Sequence, residues 1–179
     1  QDKDVIGYFS KIIENVNDCK IILYNFEKLC GYKFSLQCIS ELKKKFPQQI
    51  IGIKDSTGNI FDKYKNENFS ILLGTEKKLL TSLEAGCHGL ISATCNITHS
   101  IARKVYDDFY NKTNQTLNDK LCLIRQAFDK FDLISGLHTY MCEKDPIFKN
   151  VLPILSLLPE KDQKKLFEEL DKLDFNIKY

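Results

Sequence analysis

A nucleophile and a proton carrier stand at matching points of neighbouring apolar runs: Lys54 in "IIGIKDSTGN" (50–59) and Tyr24 in "IILYN" (21–25). Lys54 follows Ile50, Ile51 and Ile53, which puts an amine at the end of an otherwise buried strand. Partial desolvation there disfavours the ammonium form, and a neutral amine is a nucleophile. It can condense with a ketone to a Schiff base, whose iminium accepts the electron pair when a carbon–carbon bond breaks. A phenol on the adjacent parallel strand, about 5 Å away, is within reach of a ligand on that amine and can relay its protons. Each residue also has a plain structural use. A lysine ends a strand and reaches water, and a rim tyrosine packs its ring and wets its hydroxyl. The pairing of the two at corresponding strand ends carries more weight for the chemical reading than either residue alone.

Positioning the pair requires parallel strands. Four short apolar runs, "KIILYN" (20–25), "QIIGIK" (49–54), "FSILLG" (69–74) and "HGLISA" (88–93), each precede a turn and an amphipathic stretch. Between them, 35–46 carries Leu36, Ile39, Leu42 and Phe46 on one helical face with Ser35 as N-cap, and 76–86 repeats the pattern with Gly86 as its stop. Strands separated by helices run parallel with right-handed crossovers, so all four C-terminal ends open onto one rim, where α/β sites form. The segments 98–111, 117–135, 145–158 and 160–173 predict a helical tail, with Pro146, Pro153 and Pro159 at starts or breaks. Two folds fit this pattern: an open sheet of four or five strands, or part of an eight-stranded (β/α) barrel, whose usual length is about 250 residues.

Composition narrows the partners. Among 179 residues, 26 Lys and Arg against 24 Asp and Glu leave a formal charge of +2, which gives no electrostatic reason to expect nucleic acid or an anionic membrane. Seven scattered cysteines form no C-x-x-C pair, which argues against a disulfide framework or zinc knuckle and fits a reducing cytoplasm. No apolar stretch reaches the roughly 18 residues of a spanning helix, and the first residues lack the layout of a signal peptide. His88, His99, Cys87 and Cys95 crowd the last run, but no three share a workable metal spacing, so no metal is expected. His138 is expected on a helix surface or in a core. "GTEKK" (74–78) offers free backbone N–H groups to an anion, and the lysine run 43–45 is expected to be a solvated face closing a helix.

The stretches "LYNFEKLCGYKFS", "IIGIKDSTGN" and "LLGTEKKLLTSLEAGCHGLISATCNI", in this order and spacing, resemble the pyruvate-dependent class I aldolases and lyases. That family includes N-acetylneuraminate lyase, dihydrodipicolinate synthase and 2-keto-3-deoxy-gluconate aldolase, and the resemblance runs from about residue 4 to about residue 160. It implies a (β/α)8 barrel, of which this chain covers strands five to eight: Tyr24 on five, Lys54 on six, Gly74 on seven and Ile91 on eight. The domains implied are a half-barrel over 1–110 and a helical extension over 111–179. Lys54 then forms the pyruvate Schiff base, Tyr24 acts as general acid and base, and Ser56, Gly74, Glu76 and Ile91 bind substrate. The substrates implied are a small 2-keto acid and an aldehyde, with no cofactor, and the assembly is a homotetramer.

Several departures shape the expected substrate. Leu29 stands where dihydrodipicolinate synthases carry an arginine for the aldehyde's carboxylate, which removes a charge-assisted contact. Ser56 supplies a hydroxyl where sugar-acid aldolases place threonine. Both point to a 2-keto-3-deoxy sugar acid or sialic-acid-like compound. Glu76 followed by Lys77 keeps only half of the neuraminate lyases' acidic pair, and Glu27 replaces the proline of "YN-x-P". A synthase or dehydratase using the same imine is the alternative. Nothing before Tyr24 matches the family's loop for the pyruvate carboxylate, so this chain is expected to need the amino-terminal half of the barrel. A non-catalytic half-barrel that serves only assembly is the reading from a different class.

Overall fold

The computed structural model describes residues 1–16 and 18–176, which fall into two compact units, Gln1–Ile91 and Ser92–Tyr179. Helix α5 (Cys95–Asn111) belongs to the second unit, and its Ile97 is part of that unit's apolar cluster.

In the first unit, helix α1 (Asp2–Asn15) precedes strand β1 (Ile21–Asn25), the one-turn helix α2 (Glu27–Cys30) and helix α3 (Leu36–Lys45). Strands β2 (Ile50–Asp55) and β3 (Ser70–Leu73), helix α4 (Leu79–Glu84) and the two-residue strand β4 (Gly89–Leu90) follow. The four strands form one parallel sheet in the order β1-β2-β3-β4. Side chains alternate across a strand, and β1 shows it: Leu23 and Asn25 are buried while Ile22 and Tyr24 are exposed. Leu23, Ile50, Ile53, Ile71 and Leu73 form one buried cluster with Cys38, Ile39 and Leu42 of α3 and Ile13 of α1. Burying each such side chain contributes roughly 1.5–3 kcal/mol.

Local chemistry sets the helix ends. Ser35 Oγ caps α3 by accepting from the Cys38 N–H at 2.9 Å. Gly86 follows the end of α4 at φ +88°, a conformation that favours a residue without Cβ. The last strand is shorter than the run 88–93 predicts. After Ile91 donates to Leu73 O, the chain turns through Ser92 and Ala93 into α5.

The lysine run is not a uniformly solvated face. Lys43 is only 8% exposed and donates to the carbonyls of Pro47 (2.8 Å), Ile50 (3.2 Å) and Asn68 (2.9 Å). Three acceptors match the three ammonium hydrogens, so one cation ties the end of α3 to the start of β2 and the approach to β3. Lys45 reaches the Ser10 hydroxyl of α1 at 2.8 Å, while Lys44 is exposed. Asp2 adds a second tie, accepting from Ser35 Oγ (2.5 Å) and Tyr32 Oη (2.8 Å). Those two bonds, the Ser35 bond first, hold its carboxyl below the usual carboxylate range. Burial, followed by hydrogen bonding with Cys38 and Asp2, pushes the Tyr32 phenol well above its ordinary value.

The second unit is helical: α5, α6 (Asn118–Phe128), α7 (Leu133–Cys142) and α8 (Glu160–Lys172) enclose Ile97, Ile124, Phe128, Leu137, Tyr140, Leu166 and Leu170. The sequence places a helix over 145–158, but only the 3₁₀ turn Pro146–Lys149 forms there. Pro153 removes a backbone donor, and Ile154 adopts φ +75°, which a helix does not allow. Among the described residues no helix is long and apolar enough to cross a membrane, none of the seven cysteines is joined in a disulfide, and no group of His, Cys, Asp and Glu is arranged to hold a metal ion.

Replacing Lys43 by methionine strands three carbonyls, and unfolding by urea should show a loss of about 2–3 kcal/mol. The Asp2 bonds carry a pH signature. Because its carboxyl is lowered in the folded state, its contribution is fully present above the carboxyl's unfolded pKa and is lost as pH falls through the folded one. Thermal melts of wild type and Asp2→Asn should therefore differ at neutral pH and converge in acid.

Candidate functional site

Lys54 and Tyr24 occupy the same rung of the parallel ladder between β1 and β2, as do Asn25 and Asp55 one step on. Successive residues face opposite sides, so Tyr24 and Lys54 share one face while Asn25 and Asp55 share the other. On the first face, Lys54 Nζ lies 4.1 Å from the centroid of the Tyr24 ring, a cation–π distance. Lys54 is half-buried and Tyr24 is 42% exposed, so the amine rests against an aromatic face on an accessible side of the sheet. Phe26 continues the aromatic surface, its ring centroid 5.9 Å from that of Tyr24.

The opposite face holds a network that the reading of the sequence did not anticipate. Asp55 is buried, and its carboxylate takes five N–H donors: Oδ1 accepts from Asn25 Nδ2 (3.0 Å), Thr57 N (3.2 Å) and Gly58 N (2.8 Å). Oδ2 accepts from Ile60 N (2.9 Å) and Phe61 N (3.1 Å). Asn25 is buried too, and its amide is fully used. Its second hydrogen goes to Asn59 Oδ1 (2.8 Å), and its oxygen accepts from Phe34 N (3.1 Å). The loop after Lys54 is thereby wound around a carboxylate that belongs to the strand itself. The one available signal was the short polar run "DSTGN" after an apolar strand, a pattern in which an Asp side chain satisfies nearby backbone N–H groups.

Backbone bonds extend the sheet past its strands and place three of the other predicted residues. Ser56 N donates to Asn25 O (3.0 Å), Gly74 N to Asp55 O (3.2 Å) and Ile91 N to Leu73 O (2.8 Å). Ser56 and Gly74 are pressed together: a Cβ at residue 74 would overlap Ser56 Oγ and stand 2.9 Å from Ser56 Cβ. Ile91 is 42% exposed. Glu76, in the 3₁₀ turn Glu76–Lys78, is fully buried. Thus Lys54, Tyr24, Ser56 and Gly74 are brought together at the C-terminal ends of β1 to β3, and Ile91 extends the row at β4. Leu29 points away from any packed core and is 73% exposed on α2.

Of the residues set aside from the sequence, His88 Nδ1 accepts from Ile71 N at 3.2 Å. His138 on α7 hydrogen-bonds Phe148 O through Nδ1 at 2.9 Å. Burial pushes the Cys87 thiol up to about 11, so it is a packed thiol and not a reactive one.

A parallel sheet with a lysine and a tyrosine on one rung of its C-terminal rim defines a class of α/β proteins, and known proteins narrow it. The model of the dihydrodipicolinate synthetase family matches residues 1–172, and this chain belongs to that family. A 2-dehydro-3-deoxy-D-gluconate/2-dehydro-3-deoxy-phosphogluconate aldolase of Picrophilus torridus is 25% identical over 155 residues, covering 82% of this chain and 57% of the relative. A 4-hydroxy-tetrahydrodipicolinate synthase of Novosphingobium aromaticivorans is 33% identical over 135 residues, covering 69% and 44%. The chain thus spans about half the length of these relatives. Among solved structures, dihydrodipicolinate synthase from Agrobacterium tumefaciens superposes with TM-score 0.81 at 21% identity, over 97% of this chain and 61% of that one. A prophage protein of the same family from E. coli K12, crystallised with pyruvate, gives TM-score 0.81 at 22% identity, over 98% and 63%. At these identities the superpositions establish a shared fold.

The Ser56–Gly74 contact is directly testable. Gly74→Ala should lower the thermal midpoint measurably, and adding Ser56→Gly should restore part of the loss, because it removes the Oγ and Cβ that the new methyl strikes. A double-mutant cycle read by thermal denaturation gives that coupling.

Proposed function

We propose that this chain carries the Schiff-base half of a pyruvate-dependent aldolase or lyase. The observation that carries the reading is the placement of Lys54 Nζ 4.1 Å from the Tyr24 ring centroid on a shared rung, within a chain of the dihydrodipicolinate synthetase family. The Lys54 amine adds to the ketone of a 2-keto acid, and loss of water gives the imine. Tyr24 takes the proton of the substrate hydroxyl as the carbon–carbon bond breaks, and the electron pair moves into the iminium to give an enamine and a free aldehyde. Protonation and hydrolysis then release pyruvate and return the amine. Ser56, Gly74 and Ile91 surround the substrate, while the fully buried Glu76 offers it no exposed surface in this chain. No metal or organic cofactor enters, since the iminium is the electron sink.

A 2-keto-3-deoxy sugar acid or a sialic-acid-like compound is the proposed substrate. An aliphatic Leu29 five residues after Tyr24 and a hydroxyl at Ser56 favour it over an aldehyde bearing a carboxylate. The name of the Picrophilus torridus relative is consistent with this, whereas the names of the synthases favour condensation with the same imine.

The four strands correspond in this proposal to strands five to eight of a (β/α)8 barrel, with the segment from 111 onward as its helical extension. The other four strands come from polypeptide outside this chain. Two features support that: β1 and β4 each pair with one strand only among the described residues, and Ile22, Tyr24 and Ile91 are exposed on the sheet or at its rim. The assembled protein is proposed to be a cytoplasmic homotetramer.

Borohydride reduction in the presence of pyruvate, followed by peptide mass spectrometry, tests the imine. The adduct should lie on Lys54 and vanish in Lys54→Ala. Tyr24→Phe should retain it and slow cleavage by about 10²–10⁴-fold. No adduct in the assembled protein would favour a half-barrel that serves assembly alone.

A further inference from the structure

The five-donor carboxylate of Asp55 has no place in the imine chemistry, yet it is adjacent in sequence to Lys54 and faces the opposite side of the sheet. We infer that Asp55, clamped by Asn25, is a positioning residue that holds the Lys54 amine in register over the Tyr24 ring. The chemical consequence rests on the imine reading above; the positioning does not.

Lys54 sits on the last rung but one of the β1–β2 ladder, and strand ends fray unless tied. The terminal rung is Asn25 opposite Asp55, and it is tied twice. Along the backbone, Ser56 N donates to Asn25 O (3.0 Å) and Gly74 N to Asp55 O (3.2 Å). Through side chains on the buried face, Asn25 Nδ2 donates to Asp55 Oδ1 (3.0 Å). The same carboxylate fixes the N–H groups of Thr57, Gly58, Ile60 and Phe61, so the loop that could lever the strand end away is bound to the strand. Asn25 Oδ1 accepts from Phe34 N (3.1 Å), which joins this knot to the segment ahead of α3. The amine and the carboxylate thus share a stretch of backbone whose position is set from the buried side, and Tyr24 is tied in the same way through its neighbour Asn25. Misplacing a reacting group by about 1 Å costs on the order of 10²-fold in rate.

Asp55→Asn isolates this role. It keeps one oxygen as an acceptor but turns an amide NH₂ against N–H donors that had Oδ2, while volume and burial are nearly unchanged. Lys43→Met is the control, because it loosens the opposite end of β2, at Ile50, without touching the knot. After reductive methylation with ¹³C-formaldehyde, the dimethylated Lys54 in the full chain should resonate upfield of the other lysines, shifted by the ring current of Tyr24. Its signal is identified by its absence in Lys54→Ala. That shift should persist in Lys43→Met and collapse in Asp55→Asn, even where the two variants melt at similar temperatures. Pyruvate trapping by borohydride in the assembled protein should then slow by about tenfold or more in Asp55→Asn and stay within about twofold of wild type in Lys43→Met. An unshifted Lys54 signal in wild type, or a shift unchanged in Asp55→Asn, would overturn the inference. A normal shift with no pyruvate adduct in the assembled protein would overturn the imine reading and leave the positioning role supported.

Discussion

Adjacent residues of an extended chain face opposite sides of a sheet, and in β2 that rule joins a half-buried amine to a buried carboxylate. Lys54 and Asp55 share a peptide group, so whatever holds one constrains the other. Nearly everything else in the first unit bears on this pair. The apolar cluster around Ile53 and Leu23 holds the strands flat against α3. Lys43 secures the far end of β2, and the Asp55 carboxylate winds the following loop back onto the strand.

Both ties use charge where bare burial would be costly. A buried ammonium or carboxylate is expensive unless its hydrogen-bonding capacity is met. Lys43 meets three carbonyls, and Asp55 meets four backbone N–H groups and one amide. Each charge therefore organises backbone that no regular ladder satisfies: the turn between α3 and β2 at one end, the loop after β2 at the other. The rim can then carry an accessible amine and phenol on a frame fixed from behind.

The helical unit follows a different logic. Its cluster of Phe128, Leu137, Tyr140, Leu166 and Leu170 comes from helices whose apolar periodicity is plain in the sequence. The exception is 150–158, as apolar as a helix yet irregular, because Pro153 and the positive φ of Ile154 interrupt it. Composition alone overstated that segment. It also understated β2, whose polar sequel "DSTGN" reads as an ordinary turn until the carboxylate's donors are seen.

By itself the sequence determined the alternation of strands and helices, the Ser35 cap, the Gly86 stop and the placing of Tyr24 and Lys54 at corresponding strand ends. These depend on local periodicity and on turn chemistry, which act over a few residues. Only the tertiary structure decided that Lys43 is buried, that Ser56 packs on Gly74, that β4 stops after two residues and that Asp55 gathers donors from the loop and from β1. Those features depend on groups as far apart as the 30 residues between Asn25 and Asp55. Hydrogen bonds across such separations leave no periodic trace in the chain, since any polar residue in a turn looks alike until folding brings its partner within 3 Å.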